Sequence, residues 1–280
     1  GMTTELRRRF EDYLTLQRLS DRTKEAYISA VAGLAKFYGK SPDSLADDMI
    51  QQYLLYLIRE RKLAWSSCNV AFSGIHCFYA KFLKRDKTSF TIPPRIRPNK
   101  LPEVLSRKEV EQLIEAAHDI RHRSLLTMTY GSGLRVSELV HLKTHHIEGD
   151  RKLVRVEEAK GHNDRYTLLS MRALDDLRAY WKQYRPTSYV FYGRNKSKSM
   201  DVTVAQRAYH QVKTAAGIHK GRGIHTLRHC FATHLLEQGV DIYMIKKFLG
   251  HTSIKTTTVY LHLLPNRIAE VKSPLDFICR

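Results

Sequence analysis

Residues 88–102 hold four of the eight prolines in the chain, Pro93, Pro94, Pro98 and Pro102, together with Arg95, Arg97 and Lys100 and no acidic side chain. Proline fixes φ and removes a backbone donor, so such a stretch enters neither a helix interior nor a central strand. A 280-residue chain interrupted here reads as two folded parts, 1–87 and 103–280, joined by an extended basic linker over 88–102. Each part is long enough to bury its own core.

Before the linker, apolar residues recur at helical spacing over 6–16, 23–38, 46–58 and 66–83. Ser20 and Ser44 stand at N-cap positions, and Ser41-Pro42 separates the second block from the third. A small helical bundle is expected, with aromatics such as Phe10, Phe37, Tyr53 and Phe78 in its core. Beyond the linker, Ser106 and Glu109 have the spacing of a capping box. A second helix is expected over 123–130. Alternation over 152–157 and 166–169 predicts two strands joined by a hairpin connection at 159–164, and 189–192 reads as a third short strand. Helices are expected over 172–184, 202–215, 226–238 and 241–249. The fold class is therefore mainly α with a small antiparallel β-sheet.

Lys and Arg number 47 against 28 Asp and Glu, a formal charge of +19. Residues 1–100 carry 18 basic and 10 acidic groups and the remainder 29 and 18, so both parts are basic. Charge of this size calls for a polyanion, either a nucleic acid backbone or an anionic membrane surface. No apolar run approaches the roughly 20 residues of a membrane span, and the start resembles no signal peptide, so a cytoplasmic, non-membrane protein is expected. Gly1 ahead of Met2 reads as an added residue. Cys68, Cys77, Cys230 and Cys279 are too scattered for a disulfide framework and read as reduced thiols.

The chemistry concentrates late in the chain. In Gly223-Ile-His-Thr-Leu-Arg-His229, His225 and Arg228 fall on one side of the first turn of a helix, whose N-terminus favours an anion. His225 and His229 are four apart, but no H-E-x-x-H pattern surrounds them and Arg228 would repel a metal ion, so they are not read as a metal pair. His229 and His234 read as packing groups or phosphate contacts. Upstream, Tyr130-Gly-Ser-Gly-Leu-Arg135 precedes Glu138, which can hold the Arg135 guanidinium or its helix in place. Downstream, Phe248-Leu-Gly-His251 precedes Tyr260 by nine residues. Taken singly, each of these reads more simply as a loop cation, a turn or a core tyrosine.

Together, Gly133-Leu-Arg-Val-Ser-Glu-Leu139, His225-Thr-Leu-Arg-His229, Leu249-Gly-His251 and Tyr260 resemble, in order and spacing, the signature boxes of the tyrosine recombinases, or phage integrase family. The resemblance covers nearly the whole chain. It implies a helical SAM-like core-binding domain joined to a mixed α/β integrase catalytic domain. It also implies catalytic roles for Arg135, Lys160, His225, Arg228, His251 and Tyr260, with Tyr260 the nucleophile, Lys160 in the hairpin turn and Glu138 in support. Double-stranded DNA is the implied substrate, with a homo-tetramer on two DNA sites, no cofactor and no metal. The tail after Leu263 suits docking on a neighbouring protomer or folding back on its own domain. Among the residues themselves, His225 reads as the nearest proton acceptor for Tyr260. Three other readings stay open: a type IB topoisomerase-like enzyme, a non-catalytic DNA-binding regulator of the same fold, and a metal-dependent nuclease.

Overall fold

The computed structural model describes residues 3–95, 101–157, 164–263 and 274. The chain divides into two compact units, residues 1–98 and 99–280.

The first unit is helical. Its helices are α1 (Thr4–Leu16), α2 (Asp21–Tyr38), α3 (Asp47–Arg59) and α4 (Trp65–His76). Ser20 caps α2 through the Thr23 N–H, and Gly39 closes it at φ +64°. Ser44 does not cap α3. Pro42 starts a 3-10 turn over Pro42–Ser44, which shifts the cap position to Ala46. The block expected as one helix to residue 83 is α-helical only to His76 and continues as a π turn, Cys77–Phe82. Phe10, Leu14, Val31, Leu34, Ile50, Phe78 and Tyr79 form the buried centre, whereas Phe37 is 45% exposed and lies at its edge. The beginning of the proline-rich segment is extended but not free. Gln51 exchanges hydrogen bonds with the Thr91 backbone, Trp65 donates to the Pro93 carbonyl, and Phe90 is buried.

The second unit contains α5 (Arg107–Ala116), α6 (Ile120–Ser132), α7 (Val136–Val140), β1 (Ile147–Glu148), β2 (Leu153–Val156), β3 (Arg165–Leu168), α8 (Met171–Tyr184), α9 (Val202–Ala215), α10 (His225–Glu237), α11 (Ile242–Leu249) and α12 (Ile254–Thr258). The Ser106/Glu109 capping box forms at α5. The Asp119 carboxylate accepts the Arg121 and His122 N–H groups, so α6 starts three residues earlier than its periodicity suggests. The strands form an antiparallel sheet in the order β1-β2-β3, with Val154 opposite Thr167 and Val156 opposite Arg165.

The expected third strand at 189–192 is not one. Tyr189 and Tyr192 each make a single bridge, to Lys143 and Ser199, while Val190 and Phe191 fill the core. That run is apolar because it is buried, not because it joins a ladder. The third strand is instead the two-residue β1, too short to leave an alternation.

Helix α10 runs through the middle of this unit. Thr226, Leu227, Arg228, Cys230, Phe231, Ala232, Thr233, His234 and Leu236 are all buried, so it shows no polar face. Cys68, Cys77 and Cys230 are free and buried. Among the described residues, no helix is long and apolar enough to cross a membrane.

Candidate active site

Two helices of the second unit end the same way. α6 stops at Gly133 (φ +66°) and α11 at Gly250 (φ +65°), both left-handed, a conformation that costs an L side chain about 1–2 kcal/mol. The chain then turns sharply, into Arg135 after the first glycine and into His251 after the second. Arg228, 1% exposed on α10, ties the two ends together: Nη1 donates to the Gly133 carbonyl (2.7 Å) and Nη2 to the Leu249 carbonyl (2.6 Å). Helix C-termini present unpaired carbonyls and partial negative charge, which a guanidinium satisfies.

Among the described residues, Glu138 is the carboxylate the arginines of the cluster share. It accepts the Arg135 backbone N–H (2.7 Å) and Arg135 Nη1 (2.8 Å). Arg165, at the start of β3, grips the same carboxylate with Nη1 (2.9 Å) and Nη2 (2.8 Å). Arg228 Nη1 lies 3.7 Å from Glu138 Oε2. Burial pushes the Glu138 carboxyl up, but the Arg165 hydrogen bonds and charge, the Arg135 N–H and Arg228 outweigh it and hold the group below the usual carboxylate range. Three guanidiniums, of Arg135, Arg165 and Arg228, face this carboxylate within 3.7 Å. Burial and then the Arg135 charge lower the Arg228 pKa to about 10, which leaves it protonated at neutral pH.

Tyr260 lies in the 3-10 turn Val259–Leu263, 3% exposed, in a small apolar cluster with Phe231, Ala232, Leu236, Ile245 and Leu249. Its Oη is 2.8 Å from His229 Nδ1. Burial raises the phenol pKa, opposed by Arg228 and Arg135, so the phenol keeps its proton and donates it to the imidazole. Burial, with His225 and Arg228, lowers the His229 pKa to about 4 and keeps the ring neutral. This corrects the sequence expectation: the hydrogen-bond partner of Tyr260 is His229, one helical turn beyond His225. The His225 ring stands edge-on to His229 with centroids 4.7 Å apart. Partial burial, Arg228 and Arg135 lower the His225 pKa as well. His251 Nδ1 pairs with Thr257 Oγ1 at 2.9 Å, and burial with Arg228, Arg135 and Arg165 brings its pKa to about 4.

Of the residues expected from sequence, Arg135, Glu138, His225, Arg228, His251 and Tyr260 thus converge. Lys160 lies outside the described residues, as do 264–273 and 275–280 of the tail. Sequence reasoning did not foresee the Arg165 contacts to Glu138 or the pairing of His229 with Tyr260. Arg165 carried no signal beyond its place at the end of a hairpin, whereas His229 stood in view, i+4 from His225.

Among the described residues, His145, His146 and Glu157 form the one group of three or more His, Cys, Asp or Glu whose ligating atoms lie within 4.8 Å of one another. Their chemistry opposes a cation. His146 Nδ1 accepts the Lys143 N–H, which puts the ring proton on Nε2, aimed at Glu157 2.9 Å away. Lys143 Nζ, 3.3 Å from the same carboxylate, already supplies positive charge.

Comparison with known proteins follows this geometry. Residues 103–267 match the phage integrase family, and residues 6–88 match the phage integrase N-terminal SAM-like domain. The chain is 36% identical to y4qK of Sinorhizobium fredii over 278 residues, covering 99% of this chain and 90% of that one. It is 31% identical to the tyrosine recombinase XerA of Thermococcus kodakarensis over 276 residues, covering 96% and 94%. The lambda integrase tetramer bound to a Holliday junction shares the fold, with a TM-score of 0.70, 18% identity and coverage of 90% of this chain and 75% of that one. The chain therefore belongs to the phage integrase family of tyrosine recombinases.

Proposed function

We propose that this protein is a site-specific recombinase that breaks and rejoins duplex DNA through a covalent bond between Tyr260 and a 3′ phosphate. The observation that carries the reading is the Tyr260–His229 hydrogen bond, 2.8 Å, set beside the guanidiniums of Arg135, Arg165 and Arg228.

In this reading Tyr260 Oη attacks the scissile phosphorus as its proton passes to His229 Nδ1. The bond from phosphorus to the 5′ oxygen breaks, and Lys160 protonates the departing oxygen. Arg135, 38% exposed, meets a non-bridging oxygen, and Arg228 stabilises the growing charge from beneath. His225 and His251, held neutral, donate to phosphate oxygens. A dianionic transition state is stabilised by positive charges fixed in place before the reaction begins. The ester conserves the energy of the broken bond, so the reverse attack by a 5′ hydroxyl of a second duplex rejoins strands without ATP, and the charge supplied by the arginines makes a metal ion unnecessary. The tetramer of lambda integrase, which shares the fold, supports four copies of this chain acting on two DNA sites.

A suicide substrate, in which a nick beside the cleavage point lets the 5′ fragment escape, tests the reading. Wild-type protein is expected to form a detergent-resistant adduct in the presence of EDTA. Tyr260→Phe should form none and bind the same DNA within about twofold. EDTA-sensitive cleavage would point to a nuclease, and relaxation without joining of two marked duplexes to a topoisomerase-like enzyme.

A further inference from the structure

We propose that Arg165 is a positioning residue for strand cleavage, acting through Glu138 and the end of α11 to set Arg135, Arg228 and His251 around the phosphate. The proposal rests on the DNA-cleavage reading above.

Arg165 is 9% exposed, and its guanidinium reaches two segments distant in sequence. Nη1 and Nη2 hold both oxygens of Glu138 at 2.9 and 2.8 Å, and Nε donates to the Phe248 carbonyl at 2.8 Å. The first contact fixes the carboxylate that grips the backbone and side chain of Arg135. The second fixes the last turn of α11, whose next carbonyl, on Leu249, holds Arg228 and whose following residues are Gly250 and His251. Gly250 is built for this approach: a Cβ there would come within 2.8–2.9 Å of Arg165 Cδ, Nε and Nη1.

The consequence is electrostatic as well as geometric. Glu138 has two oxygens and three guanidiniums around it. With Arg165 gone, the freed lone pairs turn to Arg135 and to Arg228, already 3.7 Å away. Both would be drawn from the phosphate, and the site would lose one positive charge. A lysine restores the charge but offers one point of contact where arginine offers a planar fork and a third N–H.

The test is single-turnover cleavage of the suicide substrate at saturating protein by wild type, Arg165→Lys and Arg165→Gln, recording adduct amplitude, rate constant and DNA affinity separately. Expected are unchanged amplitude, affinity within about threefold, and rate constants lower by roughly tenfold for Lys and a hundredfold for Gln, the scale of a misplaced catalytic group. Loss of amplitude or thermal stability with the rate constant intact would show a merely structural residue and overturn the proposal. A wild-type rate for both variants would overturn it too. If Arg165→Gln fails to fold, Arg165→Lys carries the same comparison. Absence of an adduct from wild type would instead sink the cleavage reading and this inference with it.

Discussion

His229 shows how narrowly a single position separates packing from chemistry. It follows Arg228 directly and shares a helix face with His225, and its neutral ring at 2.8 Å from Tyr260 makes it the first acceptor a phenol proton meets. General-base contributions are typically 10²–10⁴-fold. His229→Gln keeps a hydrogen-bond acceptor but cannot take up a proton, so the cleavage rate constant should fall by roughly that factor with DNA affinity unchanged; a loss under about threefold would return the role to His225. The residue types of this site were legible in the sequence because their boxes resemble, in order and spacing, those of the tyrosine recombinases. Their pairing was not. The turn carrying Tyr260 meets α10 only through tertiary packing, and nothing local in 225–229 says which imidazole faces it. Arg165 was silent for the same reason, its partners Glu138 and Phe248 being 27 and 83 residues away.

The helix junctions place those side chains. Gly133 ends α6 in the left-handed region, and a Cβ there would meet Phe231 Cδ1 at 2.4 Å and Cε1 at 2.6 Å, both on α10. Gly217 is also left-handed, at φ +67°, with nothing within 4 Å of the same position. Gly217→Ala should therefore cost only the conformational penalty, about 1 kcal/mol, while Gly133→Ala should cost roughly 1–3 kcal/mol more through overpacking. Urea denaturation of the two variants reads the difference, and equal losses would show that α6 and α10 can shift apart freely. Helices with a strong period or a side-chain cap could be read directly, as at α2 and α5. What escaped were the elements fixed by neighbours: the two-residue β1, the π turn after α4, and the apolar run at 189–192 that packs instead of pairing.

For the molecule as a whole, half-buried neutral imidazoles make stability depend on pH. His229 and His251 have pKa values lowered to about 4 in the folded protein, against roughly 6.5 when unfolded. Their depressed values mean that the unfolded chain binds protons first as pH falls. The stability these residues contribute is fully present above about pH 6.5 and is lost progressively down to about pH 4. Thermal unfolding between pH 7.5 and 4.5 should show a midpoint falling by at least about 5 °C, and His251→Gln should flatten that slope; a midpoint independent of pH would mean that the imidazoles are solvated. An organisation into two basic parts was expected from the prolines and the charge, because both are properties of composition and need no tertiary contact to be seen.

Under the proposed mechanism, the burial of Tyr260 bears on how the reaction ends. A phenol that swings out to a phosphate leaves an unfilled space among Phe231, Ala232, Leu236, Ile245 and Leu249. Emptying an aromatic site of this kind costs about 3 kcal/mol. The covalent complex would thus carry a standing bias toward release of the tyrosine: the vacated pocket draws the side chain home and, with it, favours a sealed strand over a lasting break.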